Sequence, residues 1–460
     1  MSTQPAVALD ERALGDLLAE ALARHDVPGA ALGVRVGDEQ VIVAAGVASV
    51  ARRTPVTPDT VFQIGSITKP MTATLAMILV DEGRLELDEP IVRRLPEFRV
   101  ADPDVSRQVS LRNLLSHTSG IGGDYVADTG RGDDALARFV AGCARVGQDY
   151  RLGRVMSYCN SGYSIVGRLI EVIEGAAWED VLRRRLVQPL GLRATTALPE
   201  ETILSSVAMP HVRTAEGVVP SPAWLLPRAL GPTGAVCATV EDVLTFASAH
   251  LAGGVAVDGS RILSEESARL MRTPVAEVPD IQSPGLHWGL GWALFGWGFG
   301  HDGGAPGQAA RLQVAEEAGV SVCLLTNVTM TRGIFDDVVG GLLRRHAAVT
   351  PYTPPGLPQT PADVDVLPCV GRFRRHDGEA SVELDDAGRL VLTQRAAGDL
   401  ALLLPPALQV QQSMLVPVGP LAYVARSPDG ATDPVVFFDA ERGYPQGVSV
   451  LGRAFHRIEE

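Results

Sequence analysis

The chain has 460 residues, 46% of them hydrophobic and 20% charged, which is enough for a sizeable core and about three domains of ordinary size. Its 40 basic and 54 acidic side chains leave a net charge of −14. That balance excludes a phosphate-binding surface for nucleic acid and disfavours an anionic membrane face as partners.

In chain order, Leu14, Leu17, Leu18, Ala21 and Leu22 have the spacing of an amphipathic helix, closed by Val27-Pro28-Gly29. Ala31 to Val36 and Val41 to Ala45 flank Gly37-Asp38-Glu39 and predict a hairpin. A helix is predicted from Ser66 to about Glu82, with Pro70 tolerated in its first turn and Gly83 as the stop. The longest apolar run, Met71 to Val80, lies inside it and is too short to cross a bilayer. Further helices are predicted over Tyr163 to Glu174, Val240 to Leu251 and Ile334 to His346, and strands over Ala310 to Val314 and Val320 to Leu325. Residues 1–350 thus read as one mixed domain. Pro351, Pro354, Pro355, Pro358 and Pro361 predict a linker over residues 351–362. Beyond it, in 363–460, short alternating runs such as Ser381 to Leu384, Leu390 to Leu392, Val435 to Phe438 and Val448 to Leu451 predict a small antiparallel barrel or sandwich.

Cys143, Cys159, Cys237, Cys323 and Cys369 are odd in number and form no C-x-x-C, so they read as small buried hydrophobes in a reducing compartment. Asp10 and Glu11 stand where a signal peptide needs apolar residues, and a cytoplasmic location is expected. No metal-binding spacing and no Walker loop is present, so no cofactor is expected.

Of the 40 basic residues 39 are arginine, and Lys69 is the single lysine. Arginine keeps its proton in a protein, whereas a desolvated lysine can lose it. Ser66 stands three residues before Lys69, so both share one helical face at a helix start. A serine nucleophile needs such a neighbouring base, and the N–H groups of a helix start can meet an oxyanion. The bland alternative is an ordinary surface lysine. Tyr158-Cys159-Asn160 is the second element: a phenol able to relay a proton and an amide able to hold a substrate carbonyl lie two residues apart. By itself it reads as a capped turn opening a helix. His301-Asp302-Gly303-Gly304 is the third, predicted as a bend entering a sheet edge where glycines let a backbone approach a ligand. Gly298 to Gly303 also matches G-x-G-x-x-G, but Ala305-Pro306-Gly307 follows where a dinucleotide site needs a helix.

In order, S-x-x-K at Ser66, Y-x-N at Tyr158 and H-x-G at His301 resemble the three signature motifs of the serine β-lactamase and penicillin-binding protein superfamily. Phe62-Gln63-Ile64-Gly65-Ser66-Ile67-Thr68-Lys69 and Leu114-Leu115-Ser116-His117-Thr118-Ser119-Gly120 resemble its class C and esterase-like branch. The resemblance implies an α/β sheet flanked by helices, with an inserted all-α region, and a covalent acyl-serine intermediate. The C-terminal segment resembles the lipocalin-like antiparallel β domain that some members carry.

By position, the resemblance makes Ser66 the nucleophile and gives its proton to Lys69 and Tyr158. It assigns the oxyanion hole to the N–H groups of Ser66 and Gly304, and substrate contacts to Asn160 and His301. Many relatives have Lys-Thr-Gly where this chain has His301-Asp302-Gly303. Asp302 would repel a carboxylate and attract an ammonium. This departure is closest in character to the stand-alone penicillin-binding-protein-type thioesterases. Those enzymes take a linear nonribosomal peptide from a carrier-protein thioester, prefer a D-residue at its acyl end and cyclise it head to tail through its own amine. A basic residue of the barrel domain helps recognise substrate there, and Arg453 in Leu451-Gly452-Arg453 is the candidate. The rival readings are an esterase or D-amino-acid-specific peptidase of the same superfamily, and a non-catalytic binding module.

Overall fold

The computed structural model describes residues 9–458 apart from 225, 280, 282–285, 330–331, 352–355, 399–400, 402–405, 428–431 and 442. The first helix, Glu11–His25, starts at Asp10, whose carboxylate accepts the N–H groups of Arg12 and Ala13. Leu14, Leu18, Ala21 and Leu22 are buried, and Leu17 lies at the exposed margin. Strands β1 (Gly29–Val36) and β2 (Glu39–Gly46) form the expected hairpin. Two short ribbons follow: β3 (Phe62–Gln63) pairs β6 (Cys237–Ala238), and β4 (His211–Thr214) pairs β5 (Gly217–Pro220).

The main sheet is completed by β7 (Ala276–Glu277), β8 (His287–Trp288), β9 (Ala293–Phe295), β10 (Gly298–Ala305), β11 (Gln308–Ala315) and β12 (Val320–Thr326). Its order is β2-β1-β12-β11-β10-β9-β8-β7, antiparallel throughout. Residues of β12 alternate between two cores. Val322 and Leu324 pack with Leu18, Leu22 and the C-terminal helix residues Ile334 and Leu342. Cys323 and Leu325 share the other core with Met71, Val243 and Leu244. A strand covered on both faces has to be apolar along its length, which is how Val320 to Leu325 reads.

Between β2 and β7 the chain is largely helical, including Thr68–Asp81, Leu111–Leu115, Ala135–Gly142, Asn160–Glu174 and Val240–Leu251. The helix predicted over Ile334 to His346 is instead interrupted: α over Arg332–Phe335, a wider π turn over Asp336–Gly340, then α over Gly341–Ala347. Asp336, in the wide turn, accepts a hydrogen bond from Arg311 of β11. Among the described residues no helix is long and apolar enough to cross a membrane.

Pro354 and Pro355 of the expected linker lie outside the described residues, and Pro351, Pro358 and Pro361 fall between Ala347 and the next strand. That strand opens a closed eight-stranded antiparallel barrel: β13 (Gly371–Arg375), β14 (Gly378–Leu384), β15 (Leu390–Ala396), β16 (Val410–Gly419), β17 (Ala422–Arg426), β18 (Thr432–Glu441), β19 (Tyr444–Val450) and β20 (Arg453–Arg457). Phe373 pairs with Arg457 to close it, and Phe373, Val382, Leu392, Tyr423, Phe437 and Val448 fill it. Closure decides between the two sequence alternatives. It removes the free edges a sandwich would keep.

The barrel is bonded to the loop before the Asn160 helix. Gly452 O accepts the Tyr158 N–H at 2.8 Å, and Ser157 Oγ accepts the Ala454 N–H at 3.0 Å. Buried Asp149 accepts the His376 N–H of the barrel at 2.8 Å and the Gly123 N–H at 3.1 Å. Burial pushes its carboxyl up to about 7, from 3.8. The folded chain therefore keeps a proton there that the unfolded chain loses. This group's share of stability should fall as pH rises from about 4 to 7 and level off above. Thermal melts of wild type and Asp149→Asn across that range check this: the variant, neutral at every pH, should show the shallower fall.

Candidate active site

Ser66 sits in a tight turn, Gly65–Ile67, which leads directly into the helix Thr68–Asp81. Lys69 is fully buried one turn on. Its Nζ lies 3.0 Å from Ser66 Oγ and donates to Thr233 O at 2.9 Å. The same nitrogen is 4.8 Å from the centre of the Tyr158 ring, and the Tyr158 hydroxyl neighbours Ser66. Burial first, and the positive Arg453 second, push the Lys69 amine well below its ordinary range. Burial pushes the Tyr158 phenol up. Both directions favour one state near neutrality: a free amine, a protonated phenol and a serine hydroxyl between them.

The third motif is not a bend. His301 to Gly304 are interior residues of β10. That strand pairs with β11 along its whole length but with β9 only over Gly298–Gly300. The half carrying His301 and Gly304 is thus free on one side, and that side meets the Ser66 turn. The approach is close: a Cβ on Gly303 would stand 1.9 Å from Ile64 O, and one on Gly65 would stand 2.6 Å from Gly304 N. Gly65 also has φ +53°, where a side chain is strained. Gly304 and Ser66 line one cavity, as an oxyanion hole built from their N–H groups requires.

His301 Nδ1 lies 2.6 Å from the Asp302 carbonyl oxygen, so that nitrogen carries the ring proton. Nε2 is then a bare acceptor, buried and without a partner among the described residues. Burial, and then Lys69, push the ring down to about 4, so it is neutral. Asp302 is not the lone anion that the sequence reading assumed. It pairs with Arg311 directly across the hairpin, which donates Nε at 3.0 Å and Nη2 at 2.8 Å to the carboxylate. Arg311 also donates to Asp336, so the trio carries one net negative charge, and the Asp302 side chain remains 56% exposed.

Asn160 opens its helix beside Tyr158 and donates Nδ2 to Asp124 Oδ1 at 2.8 Å. Arg453, at the start of β20, reaches the same carboxylate and lies 5.0 Å above the Tyr158 ring. The structure therefore brings together Ser66, Lys69, Tyr158, Asn160, His301, Asp302, Gly304 and Arg453. They line or adjoin a cavity of about 690 Å³ walled by Val126, Met156, Leu226, Trp288 and Phe295, with Pro434, Leu451 and Gly452 contributed by the barrel.

Three neighbours were not singled out from sequence. His117, held at φ +60°, packs tilted against Tyr158 with ring centres 4.4 Å apart and accepts the Cys159 N–H through Nδ1 at 2.9 Å. It lies inside the quoted Leu-Leu-Ser-His-Thr-Ser-Gly phrase, which was the available signal. Trp288 meets His301 edge-on at 5.4 Å. Asp124 has no local signal at all.

A β-lactamase family model matches residues 14–337. Penicillin-binding protein 4 of Amycolatopsis lactamdurans is 47% identical over 361 residues, covering 77% of this chain and 95% of that protein. Among solved structures, SurE superposes with a TM-score of 0.79 at 28% identity, over 97% of this chain and 99% of its own, and SurE with D-Leu at 0.76 and 29%. The D-amino acid amidase of Ochrobactrum anthropi SV3, complexed with D-phenylalanine, superposes at 0.60 and 25% identity over 72% of this chain and 98% of its own. With its three motifs gathered round one serine and its relatives aligned over most of their length, this chain belongs to the serine β-lactamase and penicillin-binding protein superfamily.

Proposed function

We propose that this protein is a penicillin-binding-protein-type thioesterase that takes a peptidyl thioester onto Ser66 and releases it as a head-to-tail cyclic peptide. The observation that carries this reading is the mostly apolar cavity of about 690 Å³ in front of Ser66, closed on one side by the barrel turn Leu451–Arg453. A space of that size and character suits a folded-back oligopeptide rather than one residue, and it keeps water scarce around an ester that water would hydrolyse.

In the first half-reaction the Lys69 amine takes the Ser66 proton, and Oγ attacks the thioester carbonyl. The N–H groups of Ser66 and Gly304 hold the oxyanion. The C–S bond breaks, and the thiol leaves with the proton returned through Lys69 and Tyr158. In the second, the peptide's N-terminal amine attacks the acyl-serine. A C–N bond replaces the C–O bond, and the amine's proton returns to Ser66 by the same relay. Asp302 and Arg311 line the cavity, and with Asp336 bonded to Arg311 the trio's net negative charge attracts the incoming ammonium. Arg453 reads the acyl end. The crystal of SurE with D-Leu supports a D-configured residue there. A carrier protein is the presenting partner. The site is cytoplasmic in this reading, consistent with five buried free cysteines.

The amidase likeness favours one second reading, hydrolysis of D-residue amides or esters by the same acyl-serine. A peptidyl thioester supplied with a free or an acetylated N-terminus separates the two, with Ser66→Ala as the blank. The free amine should give the cyclic peptide and the acetylated form only slow linear acid, read by mass spectrometry. Linear acid alone from both would discard the cyclase.

A further inference from the structure

Asp124 follows Gly122-Gly123 in a loop, and three side chains converge on its two oxygens. Asn160 donates Nδ2 to Oδ1 at 2.8 Å. Arg453 donates Nε to Oδ2 at 3.1 Å and Nη2 to Oδ1 at 3.2 Å. Arg375, also from the barrel, donates Nη1 to Oδ2 at 3.0 Å. Against burial, which alone would raise it, Arg453 and then Arg375 hold this carboxyl well below the usual carboxylate range, so it is an anion throughout the working pH.

Each bond decides what the partner offers to the cavity. A carboxylate only accepts, so the Asn160 amide must face it with its NH2 group, which leaves the side-chain oxygen for substrate. Arg453 spends a third N–H on Leu451 O at 3.2 Å. Two of its five remain, on a guanidinium held above the Tyr158 ring, with the side chain still 26% exposed.

We propose that Asp124 is a positioning residue that presets the substrate-reading edge of the site for a peptide backbone, one N–H meeting Asn160 Oδ1 and one carbonyl or carboxylate oxygen meeting the unspent N–H groups of Arg453. This rests on the acyl-serine reading above and specifies how it recognises its substrate. Asp124 touches neither substrate nor the reacting atoms.

The test is thioester consumption, whichever product forms, so cyclic against linear outcome bears on the earlier reading alone. Asp124→Asn keeps the shape and removes the charge. It should cut kcat/KM for the peptidyl thioester about a hundredfold, chiefly through KM, because recognition groups drift from register. A small ester such as p-nitrophenyl acetate, too short to reach Arg453, should lose much less. In an Arg453→Ala background the same substitution should cost far less than alone, since the two act through one contact. The charge-balanced Asp124→Asn/Arg375→Gln pair should show the same KM effect with the melting temperature of the folded protein retained. Equal losses on both esters, or strictly additive Asp124 and Arg453 effects, would overturn the proposal.

Discussion

Lys69→Arg is expected to yield a folded protein whose thioester turnover is lower by at least about a thousandfold. Arginine has most of the stem, but it gives up no proton at any working pH, so Ser66 loses its base and a fixed charge stands where wild type holds a free amine. The folded state already bears the cost of this device. Burial holds the Lys69 amine well below the 10.5 of the unfolded chain's lysine, so the folded chain gives up this proton at pH values where the unfolded chain keeps it. Unfolding therefore takes up a proton everywhere in that window, so stability drawn from this site rises with pH and the penalty fades as pH approaches 10.5. Lys69→Met, apolar and of similar length, should melt higher than wild type at pH 7, with the gap closing toward pH 10, while being equally inactive. Retained turnover in Lys69→Arg, or a Lys69→Met that melts lower at pH 7, would show that this amine is an ordinary cation.

The part of this site legible in sequence is the part written locally. Ser66 and Lys69 are one helical turn apart, so their spacing alone set a 3.0 Å contact. The helix Val240–Leu251 follows from its own periodicity. Tyr158 and Asn160 were recognisable as a pair, but only through the motif that precedes them. His301 illustrates the limit. Its glycine-rich surroundings suggest a bend, yet the glycines serve the close approach of β10 to the Ser66 turn, which is a long-range fact. Asp302 looked like a free anion because Arg311 becomes its neighbour only through the β10–β11 register. The Asp124 cluster was out of reach for the same reason. Arg375 and Arg453 lie 251 and 329 residues away in sequence, and only docking of the barrel brings them together.

Gly303→Ala is expected to be the most damaging change that leaves every reacting side chain in place. The added methyl would lie 1.9 Å from the carbonyl oxygen of Ile64, two residues before Ser66, and 3.3 Å from the Ala310 Cβ across the hairpin. Neither neighbour is the far end of a flexible side chain, so β10 must move as a strand. β11 holds it in register through Gly303↔Ala310 and Gly304↔Ala309. The shift is therefore passed to Gly304, and its N–H separates from that of Ser66. Displacing one such donor costs about a hundred- to a thousandfold in kcat, on top of about 1–3 kcal/mol of stability from overpacking. Gly304→Ala is the contrast. A Cβ there meets nothing within 4 Å and enters the cavity, so that variant should melt like wild type and lose affinity for the bulkier acyl chains first. Acylation rates with a serine-directed probe, measured beside the two melting temperatures, separate these outcomes. If Gly303→Ala acylates at the wild-type rate, the strand does not set the oxyanion geometry, and the donors that meet the oxyanion belong to other residues.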